Sequence, residues 1–151
     1  MCSTTFADRG SKAEIETGSA FMPKFDSDGL IAAVVTDADT DQVLMVGYMN
    51  AEALHRTIET GEAWYWSRSR KGFWKKGETS GQVQKVQAIL TDCDQDALVV
   101  KVRVEGNGAT CHVGYKSCFF RKVSKADDGS VSLVHDGGDR VYDPEEVYGK
   151  S

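Results

Sequence analysis

Asp92, Cys93, Asp94 and Asp96 stand within five residues of one another, and Cys111, His112 and Cys118 follow shortly after. If residues 92–96 are extended, alternation puts the three carboxylates on one side and Cys93 with Gln95 on the other. Hard oxygen ligands suit Mg²⁺, Mn²⁺ or Ca²⁺, whereas thiolates prefer Zn²⁺, so the two faces would select different ions. The three cysteines are separated by 17 and then 6 residues with no CxxC pair, which excludes a zinc ribbon or finger. Three protein ligands would leave a fourth zinc position for water, which metal binding makes an effective nucleophile near neutral pH. Two plainer readings stay open: cysteines packed as small hydrophobes, and an acidic triplet that is only a solvated turn. An EF-hand is excluded, because the sixth position from Asp92 is Ala97 and the twelfth is Arg103. A zinc deaminase is excluded by the lack of H-x-E and P-C-x-x-C motifs.

A second unusual stretch is AWYWSRSRKGFWKKGETSG, residues 63–81, where aromatic rings are interleaved with five basic residues and followed by hydroxyls. Alternation predicts a strand with Trp64, Trp66, Arg68 and Arg70 on one face, suited to stacking a base and neutralising a phosphate. Single-stranded nucleic-acid binders use the same interleaving, but within a wider positive surface. The net charge of −5 argues for one small anionic ligand instead. Tryptophans in the core with a solvated basic edge is the alternative. His55 reads as solvated, His135 as surface polar, and Cys2 as a free surface thiol.

These residues need a scaffold, and 151 residues with 40% hydrophobic content suffice for one domain with a core. Residues 1–22 are polar and aperiodic, predicting a loosely ordered tail before a single domain at 23–151. Residues 30–49 read as two apolar strands around an Asp-rich turn. Asn50 is placed to cap a helix, AEALHRTIET, that ends at Gly61 and buries Leu54, Thr57, Ile58 and Ala51. VQKVQAILTDCD and ALVVKVRVEG read as strands, the second ending at Gly106-Asn107-Gly108. VSLVHDGGDRVY reads as a hairpin with Gly137-Gly138 at its tip, and Asp143-Pro144 as a terminal turn. The fold class is mainly β with few helices, around a compact mixed sheet. With no apolar run of 18 residues and no signal-like start, the expectation is a cytoplasmic protein with reduced cysteines and neither a membrane nor a nucleic-acid partner.

Three of these runs, Trp64 to Gly81, Asp92 to Leu98 (DCDQDAL) and Cys111 to Phe119 (CHVGYKSCF), resemble the phosphoribosyl-AMP cyclohydrolase family. The resemblance covers about Phe25 to Arg121. It implies a cytoplasmic homodimer with a pseudo-barrel fold that hydrolyses the N1–C6 bond of the adenine ring of phosphoribosyl-AMP in histidine biosynthesis. It also implies Zn²⁺ on Cys93, Cys111 and Cys118, shared between subunits, and Mg²⁺ on Asp92, Asp94 and Asp96. Trp66, Ser67, Arg68, Ser69, Lys76, Glu78, Thr79 and Ser80 would then bind substrate, and His112 would move the proton. Many members carry a His where this chain has Gln82. Because the chain ends at Ser151, the expectation is a monofunctional enzyme without a pyrophosphatase domain. Two rivals are a zinc-stabilised module that binds a nucleotide phosphate without turnover and a cytosolic thiol redox protein.

Overall fold

The computed structural model describes residues 6–142. The first two strands, β1 (Ile31–Asp37) and β2 (Val43–Met49), form the hairpin expected from the sequence. Its turn is built by the Asp37 carboxylate, which accepts from the amides of Asp39 and Thr40, and by Asp41 in the left-handed region at φ 63°.

The chain then enters helix α2 (Ala51–Thr60), capped as the sequence predicts. Asn50 accepts from the Ala53 amide at 2.8 Å, and Gly61 ends the helix at φ 72°. Its buried residues are Ala53, Leu54 and Thr57; Ile58 is largely exposed and Ala51 lies outside the stripe. Thr57 takes the inner position because its hydroxyl has partners: it donates to the Ala53 carbonyl and accepts from the Trp64 amide.

A short hairpin follows, β3 (Trp64–Ser67) and β4 (Gly72–Lys75), and then β5 (Gln84–Thr91) and β6 (Ala97–Val104). The main sheet is mixed, in the order β2-β1-β6-β5, with β1 and β6 parallel and the other pairs antiparallel. Its ladders end at β2 and β5, so the sheet is open. On β6, Leu98, Val100 and Val102 point inward, while Lys101 and Arg103 point outward to Asp41 and Asp39. With Ile31, Val35, Leu44, Met49, Leu54 and Tyr65 these residues form the core, each full burial contributing about 1.5–3 kcal/mol. No helix among the described residues is long and apolar enough to cross a membrane.

Two differences from the sequence reading lie toward the ends of the chain. The late hairpin pairs β7 (Arg121–Lys125) with β8 (Val131–His135), so its tip is residues 126–130 and not Gly137-Gly138. Asp128 decides this: its carboxylate accepts from the Ser130 amide, and Gly129 supplies φ 87°. The second difference lies in residues 6–22, which have no strand pattern yet carry helix α1 (Lys12–Thr17), closed by a Ser11–Glu14 capping box. Phe6 and Phe21 pack on the core, and Phe6 stacks on the His55 ring at 4.1 Å, so His55 is partly covered and not simply solvated. Cys2 and Asp143-Pro144 lie outside the described residues.

Candidate active site

Asp92 to Asp96 do not extend β5. They form the turn between β5 and β6, with Gln95 at φ 56°, so strand alternation is not what aligns the carboxylates. Convergence within the turn does it instead: ligand oxygens of Asp92, Asp94 and Asp96 all lie within 4.8 Å of one another. The Asp92 carboxylate also caps the start of β6, accepting from the amides of Asp96 and Ala97 at 3.0 and 3.2 Å. Burial opposes its charge, but these bonds and one from the Asp96 side chain hold the Asp92 carboxyl below its ordinary value. Asp96 goes the other way, raised by its hydrogen bond with Asp92, by burial and by the charges of Asp92 and Asp94. Three carboxylates that repel one another across so short a gap fit a hard divalent cation.

Cys111 and Cys118 belong to the loop after β6. The loop folds back through Cys111 N–H to Tyr115 O and Thr110 N–H to Lys116 O, and it docks on the start of β2 through Cys118 N–H to Leu44 O at 2.7 Å. Ser117 donates to Val43 O, and Lys116 pairs with Asp37 at 3.1 Å. The two thiols are close enough for each to influence the other's ionisation. Although Cys118 is exposed, partial desolvation of its thiol, the Cys111 charge and a hydrogen bond with Cys111 push it up to about 12, with Lys76 pulling the other way. Such a pair sheds its protons to a soft cation, which suits zinc. Among the described residues no third metal-binding atom joins these two sulfurs within 4.8 Å.

The reason is topological. Leu44, beside Cys118, is four residues from Tyr48 along β2, a rise of about 13 Å. Tyr48 pairs with Ala32, and Ala32 with Ala97 at the start of β6, so the turn bearing Cys93 lies at the opposite end of the sheet. Two thiolates on one zinc, each about 2.3 Å from it, cannot be more than about 4.6 Å apart. One chain therefore cannot gather all three cysteines.

The other candidate residues divide between the same two ends. At the cysteine end, Lys76, Glu78, Thr79, Ser80 and His112 line a cleft of about 280 Å³, together with Arg70 and Trp74. The loop 76–82 holds its shape because Gly77, at φ 88°, lies against the Gln82–Val83 backbone where a Cβ would collide at 2.3 Å. Lys76 locks this loop to the cysteine loop by donating to Thr110 O at 2.7 Å. At the carboxylate end, the Arg68 guanidinium lies 4.1 Å over the Tyr48 ring, and Tyr48 shares a cleft of about 410 Å³ with Asp96 and Lys24. Trp66 packs edge-on against Phe73, and Ser67 with Ser69 shapes the β3–β4 turn.

Gln82 faces neither cleft. It is fully buried, donating to Asn107 Oδ1 at 2.7 Å, and so ties the loop before β5 to the turn after β6. Sequence reasoning placed Arg70 on a face suited to a phosphate and Trp74 in the aromatic-basic run, but assigned neither a place in the site, and Tyr48 carried no such signal.

Residues 45–120, which carry both metal-binding candidates and the cleft, match the family model described as phosphoribosyl-AMP cyclohydrolase. The chain belongs to the phosphoribosyl-AMP cyclohydrolase family. It is 54% identical to a phosphoribosyl-AMP cyclohydrolase of Sinorhizobium medicae, over all of both chains. It is 60% identical to one of a Chelativorans species, over 83% of this chain and 90% of the other. A third, from Nitrobacter winogradskyi, is 55% identical over 91% of this chain and 94% of its own. Membership of the cyclohydrolase family makes the protein an enzyme, a hydrolase.

Proposed function

We propose that the protein hydrolyses phosphoribosyl-AMP, opening its adenine ring at the N1–C6 bond in histidine biosynthesis, in a homodimer whose two active sites are each built from both chains. The observation that carries this reading is the separation of the two half-sites by the length of the sheet. A two-fold axis that brings the carboxylate end of one chain to the cysteine end of another completes two identical sites at once.

In that arrangement Cys111 and Cys118 of one chain with Cys93 of a second copy would hold zinc, and Asp92, Asp94 and Asp96 would hold magnesium. When bound, zinc supplies the Lewis acidity that lets water act as a nucleophile near neutral pH. His112, next to Cys111 on the cleft wall, is placed to move a proton at ring nitrogen N1. The substrate carries a phosphate on each of its two ribose units. Lys76 and Arg70 in one cleft, and Arg68 at the other end, supply cations for them, with Thr79 and Ser80 as hydroxyl donors. Trp74 offers an aromatic wall for the purine. The reading includes a cytoplasmic location and no pyrophosphatase activity.

The test follows the ultraviolet absorbance of phosphoribosyl-AMP with purified protein, loaded with zinc and supplied with magnesium. Ring opening should change the spectrum at a rate proportional to protein, and chelation should stop it. Binding of the nucleotide with no spectral change would leave a binding module instead. Release of pyrophosphate from phosphoribosyl-ATP would overturn the single activity.

A further inference from the structure

The turn that bears the carboxylates is held from outside by the segment before β1. Gln95, at its apex, is only 4% exposed, in a turn whose aspartates are all exposed. Its side chain is spent on the backbone of residues 15–22: Nε2 donates to Ile15 O at 2.9 Å and to Ala20 O at 3.4 Å, and Oε1 accepts from the Met22 amide at 2.7 Å. Its carbonyl accepts from the Lys24 amide at 2.7 Å. From the other side, Arg9 Nη1 donates to both Met22 O and Asp94 O at 2.9 Å, bridging the segment to the turn. The segment is fixed to the body by the Phe6–His55 stack and by Phe21.

None of these side-chain bonds goes to a carboxylate of Asp92, Asp94 or Asp96. What the bonds fix is backbone: Gln95 sits at φ 56°, a left-handed conformation a glutamine adopts only when its surroundings impose it. That conformation bends the chain so that Asp94 and Asp96 return toward Asp92. We propose that residues 9–24 are a strap, keyed by Gln95 and Arg9, that presets the carboxylate turn for its cation, making Gln95 and Arg9 positioning residues for the reaction. The strap precedes the stretch matched by the family model, whereas Gln95 lies inside it. The proposal rests on the reading that Asp92, Asp94 and Asp96 hold a divalent cation.

Manganese alone is the probe, titrated into the full-length zinc-loaded protein and read by electron paramagnetic resonance. Gln95→Met keeps volume and neutrality while removing all three side-chain bonds, and Arg9→Ala removes the bridge. Each should raise the Mn²⁺ dissociation constant about tenfold or more, the usual cost of losing a partner that orients a ligand. Arg9→Ala is the stricter variant, since losing a cation would by charge alone tighten binding. The double variant's loss relative to wild type should be much smaller than the product of the two single losses, because both act through one turn. In turnover, the magnesium concentration for half-maximal rate should rise, with kcat and substrate KM at saturating magnesium within about twofold of wild type. Should Gln95→Met fail to fold, Arg9→Ala decides alone. Wild-type Mn²⁺ affinity in Gln95→Met and Arg9→Ala, with weakened binding in Asp94→Asn, would overturn the strap and leave the cation site standing. Equal Mn²⁺ binding in wild type and Asp94→Asn would overturn the cation site and the strap with it.

Discussion

Cys111 and Asp94 should fail in different ways when removed if, as proposed, they hold ions of different softness at opposite ends of the sheet. Cys111→Ala removes one thiol of the pair and is expected to abolish zinc content and lower activity more than about a hundredfold, beyond the 10–100-fold cost of losing an outer partner. Asp94→Asn takes one oxygen charge from the triplet and should spare zinc while raising the magnesium requirement. Metal analysis of both proteins beside their rates checks this, and equal zinc loss in the two would contradict separate sites. Gln82 makes a third case. Buried and bonded to Asn107, it should cost about 1–3 kcal/mol of stability as Gln82→Ala, measured by urea unfolding, with zinc retained. The residue types were legible in the sequence because ligand chemistry is local. The roles of Gln82 and Gln95 were not, since a glutamine's partners are decided by which distant backbone reaches it.

Elements whose ends are marked by local chemistry were the readable ones. Asn50 and Gly61 bound α2 as expected, because a cap is satisfied within four residues. The carboxylate turn was misread as strand because its spacing of two mimics alternation, while the left-handed Gln95 that breaks the strand depends on the strap. The β7–β8 tip was misplaced because two Gly-containing turns compete, and Asp128 supplies the side-chain acceptor that favours the earlier one. Between elements, Glu62 ties the end of α2 to β4 and β5 through Lys75 at 2.9 Å and Lys85 at 2.6 Å. Hydrogen bonds from Lys85 and then Lys75 hold its carboxyl below the ordinary value of 4.5. A depressed carboxyl contributes stability above the unfolded value and loses it as pH falls through the folded one. The wild type should therefore lose melting temperature on acidification below about pH 4.5 faster than Glu62→Gln. Calorimetry of both proteins across that range checks the sign: the variant should be less stable at neutral pH, and the two should converge in acid.

At the scale of the whole molecule, strand order alone separates Cys93 from Cys111 and Cys118, and no side-chain rearrangement within one chain closes a gap the length of β2. No sequence period reports that separation; it exists only once β1 has paired with both β2 and β6, so only the family resemblance pointed to shared ligands. The separation makes a sharp expectation for mixed dimers. If the proposed dimer shares its ligands, Cys93→Ser and Cys111→Ser proteins should each be inactive alone, because each symmetric dimer would spoil both sites. In a mixed dimer, one site receives both defects and the other receives neither. Random reassortment makes about half the dimers mixed, each with one intact site of two, so unfolding and refolding an equal mixture with zinc should restore about a quarter of wild-type activity. Mixing without subunit exchange should restore none. If all three sulfurs came from a single chain, no mixture of these variants could recover activity under any refolding protocol, so a refolded mixture that stays inactive while refolded wild type recovers would rule out the shared site.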